Sequence, residues 1–228
     1  MVRFINGFVK LTAFPAYWAC ARTKVYYEDK KIQSRKINGS AILISNHTSV
    51  YDYALMLFLF FGRTLRYQMA EVLFKSKKLA KFLKMMGGIF VDRDSYDFSF
   101  VSESIDILEK KGVVGIFPES RLAKPGEEKP LPFKPSVTYI ALESGAPIIP
   151  VYTNGSYFKS KRARVMIGKP IYVQDLWDAT LDEKQNIDRI TEMLRLKIIE
   201  LGEELEKRSA KKRKGKSDGT DQTNGANT

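Results

Sequence analysis

Cysteine and histidine are almost absent from this 228-residue chain, which contains one of each, Cys20 and His47. A single cysteine excludes an internal disulfide framework. One cysteine and one histidine also supply too few ligands for a typical structural zinc site, so we predict chemistry that depends on no such metal. His47 is the one residue of a type that titrates near neutral pH.

Long apolar runs are missing too, and none approaches the roughly 20 residues of a membrane-spanning helix. The nearest candidate is FINGFVKLTAFPAYWACA, residues 4–21, which Asn6, Lys10 and Pro15 interrupt. These interruptions also argue against a signal peptide. We interpret the segment as one or two short amphipathic helices in the membrane interface, with an ordinary core helix as the alternative. Residues 1–30 are therefore predicted as a membrane-associating unit.

Acidic residues are outnumbered, because 26 Asp and Glu against 38 Lys and Arg give a formal charge of +12. Residues 207–216, KRSAKKRKGK, are densely basic and contain no acid. This excess fits an anionic membrane surface, a phosphorylated substrate or nucleic acid, and charge alone does not choose among them. Residues 209–228 are polar, charged and without repeats, so we predict a disordered basic tail.

Strand-like and helix-like stretches alternate along residues 31–208, which we predict as one domain. Predicted strands are residues 40–45, 65–70, 88–93, 113–120, 147–152 and 162–173, and predicted helices are residues 50–62, 75–88, 98–112 and 136–145. Thr180 and Glu183 form a predicted capping box before a last, long amphipathic helix. The alternation predicts an α/β fold with a largely parallel sheet flanked by helices, preceded by the N-terminal membrane-interface helices.

The stretch AILISNHTSVYDYALML, residues 41–57, places His47 in the turn after a predicted strand. Asp52 follows five residues later, and two interpretations of it stay open. In one, Asp52 completes a capping box with Ser49 at the start of the next helix. In the other, its carboxylate holds the His47 ring so that the second ring nitrogen can accept a proton.

Two further stretches place charged residues after predicted strands. GGIFVDR ends in Asp92 and Arg93, where the guanidinium could hold a phosphate in a bidentate manner or form a surface salt bridge. GIFPESR places Glu119 and Arg121 behind a proline that stops the strand. Ligands of such sheets bind beyond the carboxyl ends of the strands, so we expect His47, Asp92 and Glu119 to share one cleft.

Taken in order, the blocks H-x-x-x-x-D, G-x-F-x-D-R and F-P-E with a nearby arginine resemble the glycerolipid acyltransferase family. Its best-known members are lysophosphatidic acid acyltransferases, which make phosphatidic acid. APIIPVY, residues 146–152, resembles a fourth block, and PFKPS, residues 132–136, resembles the family's F-K-x-G segment. The resemblance covers about residues 40–152.

The resemblance implies an O-acyltransferase in which His47 is the general base and Asp52 orients it. The acyl thioester would come from acyl-CoA or acyl carrier protein, with no other cofactor, and the acceptor would be 1-acylglycerol 3-phosphate. Arg93 and Arg121 would hold the acceptor's phosphate, and Glu119 would shape the acceptor pocket or support the arginines. The enzyme would be a peripheral or monotopic protein at the cytoplasmic face of a membrane.

Other readings remain, because Ser120 and Ser136 stand where the family usually has glycine, and Arg121 comes one residue early. The acceptor could therefore be glycerol 3-phosphate or another lysophospholipid. A basic nucleic-acid-binding protein is a rival class, but KKRKGK has no aromatic residues or known motif around it, so we predict no nucleic-acid partner. A catalytically inactive lipid-binding relative is opposed by the intact His47 and Asp52.

Overall fold

The structure is a computed structural model that describes residues 1–21, 23–93, 95, 97–157 and 162–217. The described residues form seven strands: β1 Lys24–Tyr27, β2 Ala41–Ser45, β3 Leu65–Ala70, β4 Ile89–Val91, β5 Val113–Ile116, β6 Ile148–Thr153 and β7 Arg164–Ile167. The helices are α1 Val2–Ala21, α2 Asp52–Leu59, α3 Lys77–Met86, α4 Ser99–Glu109, α5 Ser136–Ser144 and α6 Glu183–Ser217, with 3-10 helices at Glu71–Phe74 and Val173–Leu176.

The strands form one sheet in the order β1-β7-β6-β2-β5-β3-β4. Neighbouring strands run parallel except β6 and β7, which are antiparallel. The central strands β2 and β5 are buried along their whole length, as expected for a parallel sheet covered on both faces. The predicted α/β fold with a largely parallel sheet flanked by helices is confirmed.

Two hydrophobic clusters cover the two faces of the sheet. Side chains alternate along a strand, so Ile42 and Ile44 of β2 enter one cluster and Leu43 enters the other. Helices α4, α5 and α6 contribute to the first cluster, and α2 and α3 contribute to the second. With both faces filled, the open ends of the strands are the place where polar side chains can gather.

The N-terminal segment forms the single helix α1, with Pro15 inside it. Strand β1 follows at once and pairs with β7, so the sheet begins inside residues 1–30, the range predicted as a membrane-associating unit. Within the described residues, no helix combines the length and the apolar character that crossing a bilayer requires.

Helix α6 differs from the sequence prediction at both ends. The residues that form its capping box are Asp182 and Gln185, whose side chains and backbone N–H groups pair reciprocally at 2.8 and 3.1 Å. The hydroxyl of Thr180, predicted as the cap, donates instead to Asp178. The helix continues to Ser217, past the start of the predicted disordered tail at residue 209, and residues 218–228 lie outside the described residues.

Candidate active site

The His47 ring lies against the Asp52 carboxylate at the carboxyl end of β2. Its Nδ1 is 3.0 Å from Asp52 Oδ2, and the Asp52 side chain is fully buried while the His47 side chain is 20% exposed. A carboxylate only accepts hydrogen bonds, so Nδ1 carries the proton and Nε2 is the basic nitrogen. The predicted contact between the two residues is present because His47 precedes α2 in the turn and Asp52 begins the helix.

Asp52 is also bonded to the backbone of the turn that carries His47. Its Oδ2 accepts the N–H groups of Thr48 at 2.6 Å and Ser49 at 2.8 Å, and its Oδ1 accepts the Thr48 hydroxyl at 3.1 Å. These hydrogen bonds hold the Asp52 carboxylate against the start of α2. The reach to Ser49 is one half of the predicted capping box, so Asp52 both holds the helix start and contacts His47.

A tyrosine that sequence analysis did not single out completes the surroundings of Asp52. The hydroxyl of Tyr157, four residues beyond β6, donates to Asp52 Oδ1. Burial and the neighbouring negative charge of Asp52 raise the pKa of Tyr157 well above its ordinary value, so the hydroxyl keeps its proton. Because β6 pairs in parallel with β2, both strands end at the same edge of the sheet. A predicted parallel sheet could therefore have indicated that residues just after β6, such as Tyr157, lie near those just after β2.

Packing and a backbone link restrict where His47 can lie. Its ring stacks on Phe117 with centroids 4.3 Å apart and planes 13° apart. The side chain of the preceding residue, Asn46, exchanges two 2.9 Å hydrogen bonds with the backbone of Thr153 at the end of β6. The histidine is therefore held by strand ends on both sides of β2. Sequence analysis missed both Phe117 and Asn46.

Glu119 joins the site through the backbone. Its Oε1 accepts the N–H of His47 at 2.7 Å and its Oε2 accepts the N–H of Leu131 at 2.8 Å. Burial raises the pKa of Glu119, and the two N–H donors oppose that shift. The sequence prediction had Glu119 shape the pocket or support the arginines. The hydrogen bonds of its carboxylate instead position His47 and the loop around Leu131.

Ser120, the residue after Glu119, stands where the F-P-E block usually has glycine, and its backbone conformation explains why glycine is usual there. Ser120 has a φ of +59°, in the left-handed region that costs a side-chain-bearing residue about 1–2 kcal/mol. Ser136, the other serine at a usual glycine position, begins α5 and needs no left-handed backbone. Of the two replacements, therefore, the one at residue 120 carries a conformational cost.

Arg93 connects the end of β4 to the Glu119 turn. Its guanidinium forms a bidentate pair with Glu71, at 2.6 and 3.0 Å, and donates to the Ser120 carbonyl oxygen at 3.1 Å. The hydrogen bonds from Arg93 hold the pKa of Glu71 at about 2, well below its ordinary value. Asp92, expected in the same cleft, directly precedes Arg93 after β4.

Arg121 lies in the loop that follows the same turn. It is bidentate with Glu127, at 2.7 and 2.9 Å, and its side chain is more exposed than that of Arg93. Arg121 lowers the pKa of Glu127 to about 2, helped by the backbone N–H of Lys124. His47, Asp52 and Glu119 thus form one hydrogen-bonded group that Arg93 reaches through Ser120, whereas the guanidinium of Arg121 is engaged with its own loop.

No cluster of three or more His, Cys, Asp or Glu side chains that suits a metal ion occurs in the part of the chain that the structure describes. The side chains that the structure places at this end of the sheet are a partly exposed imidazole, a buried carboxylate that contacts it, and the guanidinium groups of Arg93 and Arg121 in the adjoining loops. Such a set can take a proton from a hydroxyl group beside an anion.

Comparison with known proteins bears on both the fold and the family of this chain. The structure resembles the crystal structure of the 1-acyl-sn-glycerophosphate (LPA) acyltransferase PlsC from Thermotoga maritima, with a TM-score of 0.59 and 22% sequence identity over 88% of this chain and 79% of that chain. At that identity the likeness shows a shared fold. A family model described as Acyltransferase matches residues 23–154, more than half of the chain and the whole of the group formed by His47, Asp52 and Glu119. The chain therefore belongs to the acyltransferase family.

Proposed function

We propose that the protein transfers a fatty acyl group from acyl-CoA or acyl carrier protein to the free hydroxyl of 1-acylglycerol 3-phosphate, which gives phosphatidic acid. The observation that carries the proposal is the contact between His47 and Asp52 in a chain of the acyltransferase family. The resemblance to a protein described as an LPA acyltransferase supports the choice of acceptor. Glycerol 3-phosphate or another lysophospholipid is the alternative acceptor.

In the proposed reaction, Nε2 of His47 takes the proton of the acceptor hydroxyl as its oxygen attacks the thioester carbonyl carbon. The carbon–sulfur bond then breaks, and the leaving thiolate receives the proton from His47. Asp52 keeps the ring in the correct tautomer and stabilises the transient imidazolium. A positioned base of this kind contributes about 10² to 10⁴ in rate, and no covalent acyl-enzyme is needed.

The proposed role of Arg93 and Arg121 is to bind the phosphate of the acceptor. Guanidinium groups suit phosphate because they donate two parallel hydrogen bonds, and each charged hydrogen bond contributes about 1.5–3 kcal/mol. Both arginines are paired with glutamates in this structure, Arg93 with Glu71 and Arg121 with Glu127. Phosphate binding would therefore replace at least one carboxylate by an anion of similar geometry.

Helix α1 supports the proposal that the protein rests on a membrane as a peripheral or monotopic protein. Several of its large aromatic and aliphatic side chains are exposed, whereas two of its polar residues are buried: Asn6 against Met86, and Lys10 against carbonyl oxygens just after α2. Burial lowers the pKa of Lys10 to about 8. The exposed large apolar side chains of this segment are those of Met1, just before the helix, and of Phe4, Phe8, Leu11, Phe14 and Trp18. A helix that exposes this many large apolar side chains suits an apolar surrounding.

Thiol release from an acyl thioester, measured in the presence of membranes with a panel of acceptors, tests the proposed function. We expect turnover with 1-acylglycerol 3-phosphate and little turnover with monoacylglycerol, which lacks the phosphate. Faster turnover with glycerol 3-phosphate or with a lysophospholipid that carries a larger headgroup would replace the acceptor and keep the reaction. Absence of turnover with every hydroxyl acceptor would contradict the proposal.

A further inference from the structure

The charged side chains of helix α3 and of the residues around it are all positive. Between Glu71 and Asp92 the sequence contains five lysines and no acidic residue: Lys75, Lys77, Lys78, Lys81 and Lys84. All five are exposed, and within the described residues none of them forms an ion pair. Many other surface cations, such as Lys197 with Glu28, do have carboxylate partners. An uncompensated cluster of this density favours an anionic partner.

The lysines of α3 are concentrated on its outer side. At 100° per residue, Lys77, Lys81 and Lys84 fall within an arc of about 60°, opposite the buried Leu83 and Met86. The same three lysines line an open cavity of about 460 Å³ that Met1, Phe74 and Met85 also line. Cationic and apolar groups thus face one shared space, which suits a ligand that has a negative head and an apolar body.

Large apolar side chains are exposed around these lysines. Met1, Phe74 and Met85 line the cavity together with the lysines, and Val72, Leu73 and Phe90 in the flanking segments are exposed. Leu79 and Phe82, each 40% exposed, lie about 130–170° around α3 from the middle of the lysine arc. Apolar side chains interleaved with lysines are typical of surfaces that lie in the headgroup region of a bilayer. A carrier protein or a nucleic acid would use the charges but would leave many of these side chains in water.

This surface continues directly into α1, whose apolar side chains are exposed. The Asn6 side chain donates to the Met86 carbonyl oxygen at the end of α3. Gly87, the next residue, lies so close to Val2 that an added Cβ would come within 2.7 Å of the Val2 side chain. The two helices are therefore packed together, and a bilayer that contacts the exposed residues of α1 near Met1 also lies beside α3.

The α3 segment also borders the candidate active site. Glu71 begins the short helix before α3, and Arg93 follows β4, which comes after α3. The bidentate pair between Glu71 and Arg93 therefore joins the two ends of the α3 segment. Arg93 in turn donates to Ser120 in the turn that carries Glu119. A lipid surface held against α3 would therefore lie beside the residues proposed to bind the acceptor.

We infer that residues 72–90 form a second membrane-contact surface, adjoining that of α1, that selects bilayers containing anionic phospholipids. Lys77, Lys81 and Lys84 contact the lipid phosphates, and the apolar groups that line the same cavity, Met1, Phe74 and Met85, enter the headgroup region. Each lysine near an anionic leaflet strengthens binding about fivefold, so the three together contribute a factor of about 100. The inference concerns binding and does not require the proposed acyl transfer.

Sedimentation with vesicles tests this inference, using phosphatidylcholine alone and phosphatidylcholine mixed with phosphatidylglycerol. The variant Lys77→Gln/Lys81→Gln/Lys84→Gln should bind the mixed vesicles about 100-fold more weakly than the original chain, with a much smaller change on phosphatidylcholine alone. The matched control is Lys30→Gln/Lys31→Gln/Lys36→Gln, which removes the same charge beside β1, at the opposite edge of the sheet from β4. High salt should reduce the difference between the original chain and the α3 variant.

Equal loss in the two triple variants would overturn the inference, because net charge alone would then explain binding. Unchanged binding of the α3 variant to the mixed vesicles would overturn it as well. The inference would also fail if the α3 variant lost binding to an acidic carrier protein but kept its binding to vesicles. The single variant Met85→Ser should weaken binding to both kinds of vesicle, and its folding is checked by thermal unfolding. Vesicle binding requires no turnover, so failure of this inference is distinguishable from failure of the proposed function.

Discussion

Glu119 accepts a hydrogen bond from the backbone N–H of His47 at 2.7 Å, although the two residues lie 72 positions apart. The carboxylate is buried and reaches the Leu131 backbone with its other oxygen. The third sequence block therefore positions the first, and the proposed base depends on a glutamate that does not touch the imidazole ring. This arrangement makes Glu119 a positioning residue.

Replacement Glu119→Gln keeps the shape of the side chain but turns one acceptor oxygen into a donor, which then faces a backbone N–H. We expect kcat to fall about 10- to 100-fold, with a smaller change in KM, and unfolding by urea to become easier by about 1–3 kcal/mol. Glu127→Gln, the same chemical change in the neighbouring loop, is the control. A Glu119→Gln enzyme with the original kcat and stability would contradict the positioning role.

Replacement Tyr157→Phe removes the hydroxyl that donates to Asp52 and leaves the rest of the ring. Asp52 then loses one of the donors that fix its carboxylate beside the His47 ring, so the ring is held less firmly. We expect kcat to fall about tenfold while KM changes little. Tyr172→Phe, which makes the same change at an exposed tyrosine later in the chain, serves as the comparison. A Tyr157→Phe enzyme with the original kcat would exclude the proposed effect on the pair of His47 and Asp52.

Replacement Ser120→Gly should stabilise the protein, because residue 120 has a φ of +59° and glycine adopts that conformation without a side-chain penalty. We expect a gain of about 0.5–1 kcal/mol in the free energy of unfolding, since the greater freedom of glycine in the unfolded chain offsets part of the relief. Lys111→Gly, at the other described non-glycine residue with positive φ, is the matched control for strain remote from the site. Loss of stability in Ser120→Gly would show that the serine side chain holds the turn.

Stability should fall in acid because the pKa of Glu71 is lowered in the folded state, from 4.5 to about 2. A carboxyl group with a lowered folded pKa contributes stability above its unfolded pKa and loses that contribution as the pH falls through its folded pKa. Urea unfolding between about pH 4.5 and 2 should therefore show a smaller loss in Glu71→Gln than in the original chain. Glu103→Gln, which removes the surface partner of Arg66, is the control. Equal acid slopes in the original chain and Glu71→Gln would contradict the assignment.

The sequence predicted the fold well because its signals are local. Apolar runs such as AILIS mark buried strands, and alternation with helices predicts a parallel sheet. The order of the strands and the antiparallel pairing of β6 with β7 depend on contacts between distant segments, which no local pattern records. At the start of α6, Thr180 with Glu183 and Asp182 with Gln185 both fit the capping-box pattern. The hydrogen bonds of the folded chain show that the second pair forms the box.

The candidate site was predictable where its residues are close in sequence. His47 and Asp52 share one turn, so their contact followed from the expected end of β2 and start of α2. The pairing of Arg93 with Glu71 joins residues 22 positions apart across a helix, and no local pattern in the sequence indicates it. Tyr157 reaches Asp52 only because β6 lies beside β2, which is a property of the assembled sheet.

The central claim is that His47 acts as the base that deprotonates the acceptor hydroxyl. The most direct test is thioester turnover by His47→Ala on membranes with 1-acylglycerol 3-phosphate, with circular dichroism to verify that the variant is folded. The account predicts that turnover falls at least about 10²- to 10⁴-fold, because no other described side chain lies where the imidazole does. A folded His47→Ala enzyme that retained turnover within a few-fold of the original would contradict the account.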